Sequence, residues 1–316
     1  MDNASKDAKP PRCSVLMGVY NARRFVGEAV QSILDQTYRD IELVIINDGS
    51  TDGSLEVLQE YAMSDPRIRL VSRENLGIGA TRNELLKLAR GEYVATMDHD
   101  DISTPIRIAT QIAYLDANPD VVCVGGNYDV IDEDGRHLIT YNCQPLTHEE
   151  IEYQHLRGMT SINNPTAMMR RDAVVRAGGY DETLELADDL DLFLRLGEIG
   201  KVVNVPEIVL RYRELGTSAS ATAHQAQLDR MRIGTERAWK RRGISDGVFA
   251  AKTWRPLTRE EKLERWLKYG WRGYARGDRE HARAYAYKTI KLCPWRIQPW
   301  KLLYASLFKP FPARLT

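Results

Sequence analysis

Asp98-His99-Asp100-Asp101 closes the apolar run Tyr93 to Met97, in which no charge follows Glu92. Carboxylates this close repel one another, so they face water or a cation. Two of them one residue apart suit Mg²⁺ or Mn²⁺, hard ions held by one or two carboxylates plus substrate phosphates. The same residues also suit a solvated turn that caps a helix beginning near Thr104. Asp48, in Asn47-Asp48-Gly49-Ser50, can hydrogen-bond a nucleobase or a ribose, or serve the turn alone. Tyr20 can stack on a base or close the rim of a core. Arg82, near a helix start in Gly79-Ala80-Thr81-Arg82-Asn83, can meet an anionic ligand or lie on the surface as an ordinary arginine. Asp188, Asp189 and Asp191 open a further helix, where acids offset the helix dipole. A carboxylate there could also take a proton from an attacking hydroxyl.

The elements that must position these groups alternate. Cys13–Val19, Ile41–Ile46, Ile68–Val71, Tyr93–Met97 and Val121–Val124 read as strands. Helical spacing fills 22–36, the stretch from Leu55 to Ala62, 79–89 and 105–115. Ile41–Ile46 is continuously apolar, as a strand buried on both faces must be. The order predicts an α/β fold, a mostly parallel sheet with helices on both faces. Such sheets bind ligands at the carboxyl ends of their strands. Tyr20, Asp48 and Asp98 all fall there.

Beyond 127 the pattern loosens. Residues 127–140 read as a hairpin around Glu133-Asp134-Gly135, and 166–169 as a short strand. Asp188–Leu196 reads as a helix, with two short strands, 202–205 and 208–212, around Pro206. After 220, helical spacing dominates in 228–239, 260–276, 280–292 and 298–307, without a clean repeat.

With 316 residues, 43% hydrophobic and 28% charged, the chain is sized for two domains of a globular protein, or for one large domain with an appendage. Its zero net charge hides a division. Residues 1–220 carry 22 Lys and Arg against 36 Asp and Glu; residues 221–316 carry 22 against 8. All six Trp lie in the second part. This places the boundary at 220/221, after a flexible tail at 1–11. Cys13, Cys123, Cys143 and Cys293 are scattered, which argues against a zinc site and for reduced thiols. No apolar run reaches the ~18 residues of a membrane span, and the start, MDNASKDAKPP, lacks a signal-peptide core. A cytoplasmic chain is expected.

Five segments in order carry a resemblance: VLMGVYNARRFVGEAVQSILDQTY, ELVIINDGSTDGS, ENLGIGATRNELLKLARGEYVATMDHDD, INNPTAMMRRDAVVRAGGYDE and ADDLDLFLRL. Together they resemble the family 2 glycosyltransferases of GT-A fold, over residues 12–220. The resemblance implies an inverting transferase that moves a sugar from a nucleotide-diphosphate sugar to an acceptor hydroxyl. It implies that Tyr20 and Asp48 hold the nucleobase and that Arg82 contacts the nucleotide. Asp98 and Asp100 match the motif that binds ribose and a Mn²⁺ or Mg²⁺ ion. Asp189 matches the general base, with Asp188 where the family has Glu. Two positions depart. Leu215 stands where a His often follows the Tyr-Arg dipeptide, here Tyr212-Arg213; either Arg213 compensates at the diphosphate or the metal is held more weakly. Asn163-Asn164 stands where a His often precedes Pro, and Asn164 is expected to meet a sugar hydroxyl.

By the same analogy the acceptor is a saccharide or lipid-linked saccharide of surface polysaccharide or lipopolysaccharide biosynthesis. The basic, Trp-rich segment 221–316 could dock on the acidic catalytic domain or touch anionic lipid at the inner face of a membrane. Nucleic acid is not an expected partner, since no reader motif occurs. Two rivals remain. A sugar nucleotidyltransferase is disfavoured by Gly18-Val19-Tyr20-Asn21, which is not a basic Gly-rich loop. A non-catalytic nucleotide-sugar-binding scaffold is opposed by the intact Asp98, Asp100 and Asp189.

Overall fold

A computed structural model describes residues 9–142, 146–215, 224–251 and 257–311. Most of the expected tail, Cys143, Trp254 and the boundary at 220/221 lie outside the described residues. The first half alternates strictly: β1 (Cys13–Val19), α1 (Val26–Leu34), β2 (Ile41–Asp48), α2 (Ser54–Ser64), β3 (Ile68–Arg73), α3 (Ile78–Leu88) and β4 (Tyr93–Asp98). Then come β5 (Ile102–Ser103), α4 (Arg107–Ala117), β6 (Val121–Ile131), β7 (His137–Tyr141), α5 (His148–His155), β8 (Met168–Arg170), α6 (Arg171–Arg176), α7 (Asp188–Gly197) and β9 (Lys201–Arg213). Four helices follow: α8 (His224–Arg242), α9 (Arg259–Ala275), α10 (Arg279–Leu292) and α11 (Ile297–Phe308).

One sheet runs β3-β2-β1-β4-β8-β6-β9-β5, with β7 paired to the far end of β6. Strands β1 to β4 are parallel, as the alternating pattern requires. The short β8 lies antiparallel between β4 and β6, so the sheet as a whole is mixed. Every residue of β2 is buried. Alternate residues feed two cores: Val15, Met17, Leu43 and Ile45 on one face, Leu16, Val44 and Ile46 on the other. That is the period-2 geometry of a strand covered on both sides.

β9 is one strand, not two. Its pairing jumps from Val205 opposite Gly126 to Ile208 opposite Asn127, leaving Pro206 and Glu207 outside the ladder. Proline has no N–H to donate, and a bulge lets the strand continue past it.

Helices α9, α10 and α11 share a small core of Tyr274, Ala282, Ala286, Leu302 and Ala305. This unit docks on the β6–β7 hairpin through Tyr269 and Tyr285 against Val130 and Leu138. α8 packs Ala238 on Leu190 and Leu194 of α7. Basic side chains from these helices meet acids of the first 220 residues: Arg237 with Asp181 (2.7 Å), Arg241 with Glu198 (2.9 Å), Arg265 with Glu214 (3.1 Å) and Lys288 with Glu133 (3.4 Å). Such exposed pairs contribute at most about 1 kcal/mol each, so the apolar contacts carry the docking. A cleft of about 530 Å³ remains between the hairpin and α9, lined by Tyr128, Tyr141, Tyr212, Glu214, Arg265 and Tyr269 among others. Among the described residues no helix is long and apolar enough to cross a membrane.

Candidate active site

The carboxyl ends of β1, β2 and β4 lie side by side, with Gly18 in register with Asp98 and Val19 with Asn47. Asp98 ends β4, and the chain turns at once. His99 Nδ1 lies 3.0 Å from the Gly18 carbonyl, so this nitrogen carries the proton and donates. The turn gathers Asp98, Asp100 and Asp101, each offering an oxygen within 4.8 Å of the others. Asp101 is buried; its Oδ1 accepts from the Arg213 backbone N–H at 2.8 Å, and its Oδ2 has no partner. Burial, then the neighbouring acids, push the Asp101 carboxyl well up; burial also raises Asp100, against the pull of His99. Behind β4 the fully buried Arg107 donates to the Thr96 carbonyl at 2.8 Å. Burial lowers it to about 10, while Cys13, Asp101 and Asp98 act the other way.

Asp48 lies at the end of β2, buried and already engaged. Its Oδ1 accepts from the Leu76 N–H at 3.0 Å and its Oδ2 from the Gly77 N–H at 3.1 Å, and Arg73 pairs with it. The side chain therefore fastens β2 to the loop that enters α3. Gly77 at φ 91 lets that loop turn through a backbone conformation that residues with a Cβ rarely adopt. Tyr20 stands half-exposed at the end of β1. Asn21 beside it adopts a left-handed φ of 51, stabilised by accepting from the Thr51 N–H at 2.9 Å.

α3 grips the loop that leads to α7 at two points. Arg82 Nη1 donates to Asp188 Oδ2 at 2.6 Å and its guanidinium lies over the Tyr180 ring. Asn83 accepts from the Tyr180 N–H and donates to the Tyr180 carbonyl, both at 2.9 Å. Burial would lower the Arg82 pKa, but Asp188, then Tyr180, Asp189 and Asp98, outweigh it and raise it. Asp188 is fully buried, and its Oδ1 has no partner. Asp189 Oδ1 accepts from the Leu190 N–H at 2.8 Å. Burial, then Asp188, push the Asp189 carboxyl up to about 6, against the opposing pull of Arg82.

The loop before α7 is strained. Leu186 has a φ of 75, a region that side chains with a Cβ avoid. α8 supports it: Gln227 Nε2 donates to the Leu186 carbonyl at 3.0 Å, and Arg230 to the Glu185 carbonyl at 2.8 Å.

The other two expected donor residues, Arg213 and Asn164, are both buried. Arg213 is buried and committed to protein acceptors: the Asp100 carbonyl at 2.8 Å, the Asp132 and Glu133 carbonyls at 3.1 Å, and Glu28 at 2.6 Å. It secures the acid turn through the Asp100 carbonyl. Asn164, in a buried 3-10 turn, accepts the Thr96 hydroxyl on its carbonyl, while its side-chain Oδ1 has no partner. Sequence reasoning did not single out Arg107, Tyr180, Gln227 or Arg230. Asn83 was visible only as the neighbour of Arg82.

The family model described as "Glycosyl transferase family 2" matches residues 14–178. The Erwinia amylovora protein named amylovoran biosynthesis glycosyltransferase AmsE is 31% identical over 63% of this chain and 75% of its own length. Among solved structures, S. aureus TarS 1–349 in complex with UDP-GlcNAc aligns with a TM-score of 0.60 at 16% identity, covering 94% of this chain and 79% of that one. The mannosyltransferase PcManGT from Pyrobaculum calidifontis, in complex with GDP-Man and Mn²⁺, aligns with a TM-score of 0.57 at 19% identity, covering 95% and 86%.

Proposed function

The chain belongs to glycosyl transferase family 2, and from that premise we propose how its own residues carry out the transfer. The observation that carries the reading is the ion pair of Arg82 with the buried Asp188 at 2.6 Å, next to Asp189, on a sheet whose strand ends also carry the Asp98–Asp101 acid turn. One cluster suits the diphosphate end of a nucleotide sugar, the other the attacking hydroxyl.

Asp189 is the general base. Its raised pKa still leaves it ionised near neutrality, where it accepts the acceptor hydroxyl proton. Asp188 is held by Arg82 and keeps that cation beside the departing diphosphate. The acceptor oxygen attacks the anomeric carbon from the face opposite the leaving phosphate. The old carbon–oxygen bond breaks with its electron pair going to the nucleoside diphosphate, so the anomeric centre inverts.

Asp98, Asp100 and Asp101 fit a hard divalent ion, Mn²⁺ or Mg²⁺. Their oxygens converge within 4.8 Å, and the buried Oδ2 of Asp101 has no partner. When bound, such an ion neutralises the diphosphate charge. Tyr20 offers its exposed ring to the base, and Asp48 frames the base pocket through the loop it fastens. Asn164 can accept from a sugar hydroxyl through its unpartnered Oδ1. Arg213 supports the acid turn.

We assign the acceptor to the saccharides or lipid-linked saccharides of surface polysaccharide synthesis. The name of the E. amylovora relative supports this, as the UDP-GlcNAc and GDP-Man complexes of the two structural neighbours support a nucleotide-sugar donor. The reading includes a peripheral contact with the inner face of a membrane through the basic segment after 220. Nucleoside diphosphate release from a panel of donors, with and without saccharide acceptors, tests it. Acceptor-dependent release supports a transferase. Donor binding without release would leave the scaffold reading in its place.

A further inference from the structure

The last part of the chain has a surface that neither its own core nor the catalytic unit uses. From 281 to 316 there are seven Lys or Arg and no Asp or Glu. The buried side of α11 is Pro299, Leu302, Ala305 and Ser306. Its other side presents Trp300, Tyr304 and Phe308, spaced four apart and therefore in one line. They are 47%, 55% and 71% exposed. The turn before α11 extends the line with Trp295, 67% exposed, and the exposed Ile297. Lys291, Lys301 and Lys309 stand exposed around it and form no ion pair with a described residue. Scattered exposed apolar side chains need no explanation; a contiguous line of large ones rimmed by cations does.

We propose that α11 and the turn before it are the face on which this protein rests against an anionic lipid bilayer. The proposal deepens the membrane contact in the reading above and rests on it. Three features select lipid over other occupants. Trp and Tyr prefer the headgroup level, where the ring is apolar and its N–H or O–H stays wet. The exposed Lys291, Lys301 and Lys309 complement anionic headgroups, whereas Arg296 in the turn is paired with Glu260 at 2.8 Å. The helix is amphipathic and too short to span, which fits an element lying in the interface plane. The charge split then has two uses. Arg237, Arg241, Arg265 and Lys288 are paired with the catalytic unit, whereas Lys291, Lys301 and Lys309 remain for lipid.

Co-sedimentation of the full chain with vesicles of phosphatidylcholine, with or without about one-third phosphatidylglycerol, tests this. The chain should pellet with the anionic vesicles and not with the neutral ones, with a blue shift of Trp emission. Trp300→Ser/Phe308→Ser and, separately, Lys301→Glu/Lys309→Glu should each weaken that binding by about tenfold or more. Both variants should keep wild-type melting and wild-type transfer to a water-soluble acceptor, because no altered side chain approaches the acid clusters. Undiminished binding by both variants would overturn the assignment of α11 while leaving a membrane contact elsewhere after 220. No binding by the wild-type chain would overturn the contact itself. A dimer that Phe308→Ser converts to a monomer, without vesicle binding, would show that a second copy covers this face.

Discussion

Gln227 donates to the carbonyl of Leu186 at 3.0 Å, from a helix that follows the whole catalytic unit to a residue two positions before Asp188. Leu186 needs the support, since a left-handed non-glycine residue costs on the order of 1–2 kcal/mol. Gln227→Ala should therefore let the loop relax and move Asp189. The expected result is a kcat lowered about fivefold to thirtyfold, with KM for the donor nearly unchanged. Steady-state kinetics with donor varied checks it; an unchanged kcat would show that α3 alone holds the loop.

Asp189→Asn keeps the shape of the side chain and removes the proton acceptor. Transfer should fall by about 10²–10⁴-fold while donor binding by calorimetry stays within about twofold. Near-wild-type turnover would take Asp189 out of the mechanism.

The raised carboxyl of Asp189 also sets a pH profile. Below about 6 the base is protonated, so the single-turnover rate should drop nearly tenfold per pH unit and level off above. Stability should run the opposite way. Between the ordinary 3.8 and about 6 the folded chain holds a proton that the unfolded chain has released. Unfolding free energy should therefore fall as pH rises through that window. Urea melts at steps across it should show the slope, and Asp189→Asn should reduce it.

The acid turn is expected to respond to metal. Mn²⁺ with the matching nucleoside diphosphate should raise Tm by a few degrees, as ligand near 100 Kd contributes about 2.7 kcal/mol. Chelator should abolish the shift, and Asp100→Ala should remove its metal-dependent part only. Equal shifts in chelator would assign the acids to turn structure.

Arg213→Ala should behave as a core substitution. It leaves the Asp100, Asp132 and Glu133 carbonyls without their donor, and a loss of about 3 kcal/mol or more is expected. Denaturant titration reads this directly. A large rise in donor KM with unchanged stability would return Arg213 to the diphosphate.

The alternating half of the fold was legible because period-2 and 3.6-residue patterns are local. Polar clusters at strand ends mark a ligand edge in any parallel sheet, which is how Asp48 and Asp98 could be picked out. The antiparallel insertion of β8 was not legible, since three residues carry no pattern that says which neighbours they pair with. Nor was the role of Arg213. Its position after Tyr212 suggested a ligand contact, but one of the acceptors that hold its guanidinium is Glu28, 185 residues earlier. Gln227 and Arg230 lie on a polar helix, and nothing in such spacing reveals that two of its side chains reach the carbonyls of a strained loop.

β9 has consequences on both of its sides. Arg213 points to the acid turn, whereas Tyr212 and Glu214 face the cleft beneath α9, where Arg265 and Tyr269 meet Glu214. The strand end is therefore a shared wall. A chain shortened at 220 would bare Tyr128, Tyr141 and Tyr212 along with the hairpin, and would lose the anchors of Leu186 at the same cut. The helical segment is not detachable cargo. Grafting this catalytic unit onto another carrier would require a replacement for both contacts, so the two parts are expected to be inherited and engineered as one piece.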